Sequence, residues 1–206
     1  MPMEEHQERP PRPADSRLLQ SARLAGPFYG PRVSLTTPTP ECCHRLALIQ
    51  RGDTLLGRQL EQTPDLPRRV ATAAGAEFLH NLRAWCEERN GVAYAIAGPD
   101  GEAIGLITLY DVDINQGAGR VGFWLASSAW GRGYAAEAFA LLARYAAGRG
   151  LRQFHARIPR QQTATWRVWT RLGARVEEDA ETGFFRCTLE SNAHGFDAAL
   201  EHVLRE

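Results

Sequence analysis

No stretch constrains the fold of this chain more than Val121 to Ala136, which reads VGFWLASSAWGRGYAA. An apolar, strand-like run leads through a short polar connector into a Gly-x-Gly-x-Ala turn that opens an amphipathic helix. The first N–H groups of a helix have no partner within it, and the helix dipole adds positive potential there. A glycine on either side of Arg132 lets an anion approach the backbone without meeting a side chain. Residues 130–136 therefore read as a pyrophosphate-binding turn, and the order strand, turn, helix requires a sheet with a helix packed on it.

The remaining pattern supplies the other elements of one mixed α/β domain. Residues 1 to about 30, with Pro10 to Pro13 and little apolar periodicity, read as a poorly ordered arm. Arg32 to Thr36 reads as a first strand, and Thr39-Pro40-Glu41 as a helix start with Leu46 and Ile49 facing the core. Residues 51–72, broken by Gly52, Gly57, Pro64 and Pro67, read as a long loop with room for one helical turn, of the kind that often serves as a lid or binding loop. Phe78 to Cys86 has helical spacing. Val92–Ala97 and Ala103–Tyr110 flank a Gly98-Pro99-Asp100-Gly101 turn and read as a hairpin. Residues 111–119 read as a connector before a strand at Arg120–Leu125. Further on come a helix from Ala135 to about Gly148, a strand over Gln153–Ile158 and a helix holding Trp166, Trp169 and Leu172. Strands over Ala174–Glu178 and Phe184–Glu190 follow, and then a short helix over Phe196–Leu204 in a tail spanning 191–206.

Composition removes several function classes. The 206 residues carry 24 basic and 24 acidic groups, which gives no electrostatic case for nucleic acid or a membrane surface. Every basic residue is arginine, so a phosphate-cradling loop that needs lysine is excluded. Cys42, Cys43, Cys86 and Cys187 have neither redox nor zinc-ligand spacing, so no metal is expected. Reduced thiols, with no leader-like or membrane-length apolar run, fit a cytoplasmic protein. The turn also matches the loose dinucleotide form Gly-x-Gly-x-x-Ala. That form requires a strand running directly into the turn and an acid about 20 residues later. Here residues 126–130 intervene, and no Asp or Glu occurs between Glu137 and Glu177.

The segment GFWLASSAWGRGYAAEA resembles the acetyl-coenzyme A turn of the GNAT superfamily of N-acetyltransferases, and within it the ribosomal-protein N-terminal acetyltransferase branch. The resemblance is carried by Gly122-Phe123-Trp124, Trp130 to Ala135 and Glu137-Ala138, with QQTATWRVWTRLGA as a downstream landmark, and it spans roughly residues 31–190. It implies a mostly antiparallel sheet of about seven strands, splayed between two parallel strands and flanked by about four helices. It also implies an acetyl-CoA cosubstrate, with the pyrophosphate on the backbone of Gly131, Arg132, Gly133, Tyr134 and Ala135 beside Trp130. The thioester would lie near Phe123, Trp124 and Leu125, with the Leu125 N–H holding the oxyanion, and Gln162 and Thr165 would sit at the thiol end.

Where this chain departs from the branch, the chemistry is left open. Gln162 and Thr165 replace the usual Asn and Ser, Trp169 stands where many family members have a tyrosine acid, and Arg120 replaces a glutamate that helps deprotonate the amine. Thr165 becomes the candidate acid, and Asp111, Asp113, Glu177 and Glu181 the candidate bases. Arg157 and Arg160 are candidates for the adenosine phosphate, and His155 reads as a core histidine. The leading reading is direct acetyl transfer from acetyl-CoA to a primary amine, on a protein N-terminus or a small molecule. The alternative is an acyl-CoA-binding or sensing module with little turnover, and a longer acyl donor is a third reading. A homodimer is left open.

Overall fold

A computed structural model describes residues 26–63 and 75–205. The elements run β1 (Phe28–Tyr29), β2 (Ser34–Thr36), α1 (Pro40–Gly52), α2 (Thr54–Glu61), α3 (Gly75–Glu88), β3 (Val92–Ala97), β4 (Ala103–Asp113) and β5 (Ala118–Leu125). After a 3-10 turn over Ser127–Ala129 come α4 (Tyr134–Ala147), β6 (Gln153–Pro159), α5 (Thr163–Arg171), β7 (Arg175–Asp179), β8 (Phe184–Glu190) and α6 (Phe196–Arg205). The strands form one sheet in the order β1-β2-β3-β4-β5-β6-β8-β7. Every neighbouring pair is antiparallel except β5 and β6. The described residues thus hold eight strands and six helices, where about seven and four were expected.

Each face of the sheet has its own core. On one, Phe139 of α4 packs against Trp169 of α5 at a centroid distance of 4.5 Å, with Phe154, Phe196 and Leu200 around them. Helix α4 is buried from Ala136 through Ala143, which explains its alanine content: small side chains let it lie against neighbours on every side. On the other face Leu46, Leu56, Phe78 and Leu82 of α1 to α3 close over Leu106 and Trp124. Trp124 is therefore a core residue, whereas Trp130 is 40 % exposed. Among the described residues no helix is long and apolar enough to cross a membrane. All four cysteines are free, and burial pushes the thiols of Cys43, Cys86 and Cys187 up to about 12, so they remain protonated.

Two sequence expectations, the connector 111–119 and the loop 51–72, need correction, and the described terminal segments pack into the core. Sheet pairing begins at Phe28, which is buried in the core and pairs with Leu35, while residues 1–25 of the expected arm lie outside the described residues. The expected connector 111–119 is mostly strand. Pairing continues to Asp113↔Ala118 past a bulge, because Asp111 adopts a left-handed conformation (φ 49°) and donates its N–H to the Arg89 carbonyl at 2.6 Å. The helix expected in the tail packs Phe196, Leu200 and Val203 into the α4 core. Most important for the site, the expected loop 51–72 contains the two-turn helix α2, although residues 64–74 lie outside the described residues.

Asp53 accounts for α2. One carboxylate oxygen caps the helix by accepting from the Leu56 N–H at 3.0 Å, and the other accepts from the Ser127 N–H at 2.6 Å. A single side chain thus starts the helix and ties it to the end of β5. Burial alone would raise the Asp53 carboxyl, but the Ser127 and Leu56 donors outweigh it and hold the group below its usual value. The resulting stability is present at neutral pH and is lost as the pH falls through the carboxylate range. Asp53→Ala is expected to lower unfolding stability by about 1–2 kcal/mol, read as a lower urea midpoint with an unchanged slope. An unmoved midpoint would show that the cap contributes nothing.

Candidate active site

The turn before α4 is built by two glycines and one buried carboxylate. Gly131 (φ 73°) and Gly133 (φ 80°) adopt a left-handed backbone that other residues take only with strain. The first intrahelical bond is Glu137 N–H to the Gly133 carbonyl at 3.1 Å, so the N–H groups of Tyr134, Ala135 and Ala136 have no partner within the helix. Glu137 itself is fully buried. Its carboxylate accepts from the Arg32 N–H at 2.7 Å, the Val33 N–H at 2.9 Å and Arg32 Nε at 2.8 Å. The Arg32 guanidinium also donates to the Arg132 carbonyl at 3.2 Å and lies 5.8 Å from the Tyr134 ring centroid. Gly30 makes the approach possible, since a Cβ there would stand 2.5 Å from the Glu137 carboxylate. Glu137 therefore fastens the β1–β2 segment to α4, and Arg32 braces the turn.

Beside the turn the sheet opens. β5 and β6 pair only at Ala118↔Gln153, Gly119↔Phe154 and Arg120↔His155. The Ala126 N–H donates to Ile104 at 2.8 Å, which fixes the parity of the β4–β5 ladder. Residues 122, 124 and 126 bond toward β4, so the backbone groups of Val121, Phe123 and Leu125 point into the gap toward β6. The Leu125 carbonyl accepts the Trp130 indole N–H at 2.9 Å. Trp130 thus bridges the gap to the turn instead of packing in a core.

A cavity of about 660 Å³ joins these parts. Phe123, Trp124, Leu125, Trp130, Gly131, Gly133, Tyr134, Ala135, Gln162 and Thr165, all singled out from sequence, line it; Arg132 does not. A smaller chamber of about 40 Å³ shares Phe123, Trp124, Gln162 and Thr165 with it and reaches Tyr110, Thr63 and Arg157 on the far side. The two chambers adjoin where β5 and β6 part, sharing a wall, and together they outline a path there.

Helix α2 supplies side chains to this path that the sequence reading missed. The Gln162 amide donates to the Gln59 carbonyl and to Thr63 Oγ1, both at 3.0 Å. The Gln59 amide donates to Thr165 Oγ1 at 3.2 Å, and the Thr165 hydroxyl lies 3.5 Å from Gln162 Oε1. The signal available was Asp53 as a helix cap.

The candidate bases are engaged elsewhere. Asp111 is paired with Arg89 at 2.6 Å and lies 3.8 Å from Arg120. Asp113 accepts from the N–H groups of Asn115 and Gln116 in the next turn. Glu177 lies 3.5 Å from Arg175, and Glu181 is exposed. Among the described residues no carboxylate lines either chamber. His155 lies 3.3 Å from Thr188 Oγ1 outside both chambers, and burial, then Arg120, lowers its pKa. Arg160 pairs with Glu178, and neither Arg157 nor Arg160 lines the large cavity; Arg58, Arg167 and Arg171 do.

Comparison with known proteins agrees with this geometry. The acetyltransferase (GNAT) domain family matches residues 32–175. No curated protein matches the sequence. Among solved structures, RimJ of Mycobacterium smegmatis in complex with a coenzyme A disulfide is similar at 22 % identity and a TM-score of 0.68, over 87 % of this chain and 92 % of that one. RimL, a ribosomal α-N-protein acetyltransferase, with coenzyme A gives 18 % identity and a TM-score of 0.64, over 78 % and 94 %. The microcin C7 self-immunity acetyltransferase MccE, with acetyl-CoA and AMP, gives 12 % and 0.63, over 81 % and 97 %. A matched family domain over most of the chain, a sheet parted between its one parallel pair and a glycine turn at the mouth of that gap lead to one assignment: the chain belongs to the GNAT acetyltransferase family and is an acetyl-CoA-dependent N-acetyltransferase.

Proposed function

We propose that the acceptor is a primary amine with a low pKa, with a protein N-terminal α-amine favoured over a lysine side chain, and that the acetyl group passes to it directly. The observation that carries this reading is the path through the sheet: a large cavity at the glycine turn, a narrow chamber beyond it, and no carboxylate lining either among the described residues. A lysine presents its neutral amine at pH 7 at a cost of about 4.6 kcal/mol and an α-amine at about 1 kcal/mol. A site whose described lining offers no carboxylate should favour the second.

In this reading the backbone N–H groups of Gly131 to Ala135 hold the pyrophosphate, and Arg32 supplies positive charge behind the turn. The pantetheine arm lies in the gap beside Phe123 and Leu125. The Leu125 N–H polarises the thioester carbonyl. The amine nitrogen attacks that carbon, the C–S bond breaks, and the thiolate takes a proton from the Thr165 hydroxyl, which recovers it from the amine through solvent. Gln162 and Gln59 hold Thr165 in place. The narrow chamber has room for only a few heavy atoms, which suits an acetyl group better than a longer acyl chain.

Thiol release from acetyl-CoA should be faster with an α-amine peptide than with a peptide whose only amine is a lysine side chain; equal or faster lysine turnover would refute the preference. Binding of acetyl-CoA with no thiol release from any amine would favour a sensing module instead. Gly133→Ala places a methyl about 3.2 Å from the Arg32 guanidinium at a left-handed position. It should raise KM for acetyl-CoA about tenfold, through roughly 1.4 kcal/mol of strain and lost contact, with kcat changed less. Thr165→Val should instead lower kcat about a hundredfold while coenzyme A affinity, read by calorimetry, stays near that of the parent.

A further inference from the structure

The far side of the narrow chamber differs in character from the coenzyme side. Side chains alternate along β6, so His155 and Arg157 project to one face. The register places Arg157 opposite Arg186 on β8 and His155 opposite Thr188. The parallel pair Arg120↔His155 sets this face as the one on which Trp124 is buried under α1 to α3. That core holds no residue of β6, β7 or β8, so beyond β5 the face is uncovered among the described residues. Arg157 is exposed there and also lines the narrow chamber, while its guanidinium reaches along the surface over Phe184 of β8.

Among the described residues, the arginines that β5, β7 and β8 place on this face each lie near a carboxylate. Arg120 lies 3.8 Å from Asp111, Arg175 lies 3.5 Å from Glu177, and Arg186 lies 3.7 Å from Asp179. Arg157 instead lies over the Phe184 ring, 5.0 Å from its centroid, and has no carboxylate within 4 Å among the described residues. Across the ladder Arg157 faces Arg186, which has Glu177 opposite it on β7 and Asp179 at 3.7 Å, so of the two guanidinium groups Arg157 is the one left to take an anion. A guanidinium held out over an aromatic ring is well placed for bidentate contact with a carboxylate. It does not line the coenzyme cavity, which argues against a role at the adenosine phosphate.

We propose that Arg157 recognises a carboxylate carried a few bonds from the acceptor amine, so that the preferred acceptor is an α-amine next to an acidic group. This rests on the acetyl-transfer reading above. The nitrogen enters the chamber while the neighbouring carboxylate stays at its mouth on the guanidinium. An acidic residue at the second position of a peptide and the carboxylates of a free acidic amino acid share this chemistry.

The test measures thiol release by the full chain with acetyl-CoA and three acceptors: serine-led peptides with aspartate or asparagine second, and free aspartate. The aspartate peptide or free aspartate should exceed the asparagine peptide about tenfold or more in kcat/KM, and the ratio should shrink as salt is added. Whichever acidic acceptor is turned over identifies the source of the carboxylate. Arg157→Gln should bring the ratio to about one, and Arg157→Lys should restore part of it, with coenzyme A affinity by calorimetry confirming that each variant is folded. Equal turnover of acidic and neutral acceptors, or a ratio that survives Arg157→Gln, overturns the role of Arg157 and leaves acetyl transfer standing. No thiol release with any amine overturns the acetyl-transfer reading itself.

Discussion

The geometry of this site depends on the buried carboxylate of Glu137. A charge with no solvent exposure costs several kcal/mol unless donors replace the lost water. Here two backbone N–H groups and a guanidinium do so, all from the segment joining β1 to β2. The carboxylate lies one turn inside the helix, too far along to cap it, and so uses its bonding capacity on another part of the chain. The consequence is mechanical: α4 is locked to the edge of the sheet, and the turn before it inherits that position. There is an electrostatic consequence too. An anion near a helix N-terminus interacts well with the dipole but repels a phosphate bound there. Arg32, bridging the carboxylate and the Arg132 carbonyl, sets a positive charge between the two.

The gap between β5 and β6 is the second half of the design. Parallel strands that stop pairing leave backbone groups that need other partners. In this chain the Trp130 indole takes the Leu125 carbonyl, which leaves the N–H side of that edge facing the cavity. Helix α2 and the residues just after it then close the gap from the opposite side through Gln59 and Thr63, held to the end of β5 by Asp53. The backbone supplies the polar groups of the path, and side chains from α2 and α5 fix its width.

What could be read from the sequence follows from range. The glycine turn, β5 and α4 carry local signals: positive-φ glycines, an apolar strand and helical periodicity, all between Ala118 and Ala147. The hairpin of β3 and β4 is local as well. The parts that were missed are joined across long separations. Arg32 and Glu137 lie 105 residues apart, and Gln59 and Thr165 lie 106 apart. No periodicity encodes such pairs. Helix α2 is short, interrupted by Gly57 and only partly buried, so its pattern resembled a loop although Asp53 marked its start. The candidate bases were likewise plausible as isolated carboxylates, and only the fold shows that Asp111 and Asp113 are committed to an ion pair and a turn.

Under the proposed reading, Arg157 bears on how a path with no carboxylate lining it among the described residues could still use an amine. A neighbouring cation disfavours a second positive charge, so an ammonium close to Arg157 has a lower pKa than it has in water. A carboxylate bound to the same guanidinium offsets part of that field, so the effect on the amine is what remains of the cation after pairing. An acid–base side chain would remove the proton during the reaction; a fixed cation raises the share of neutral amine before it. Arginine is suited to that role because it keeps its charge at any physiological pH, and lysine, which can give up its proton when desolvated, is not. In this reading the placement of Arg157 favours an amine that is already partly neutral, and the path holds it against the thioester.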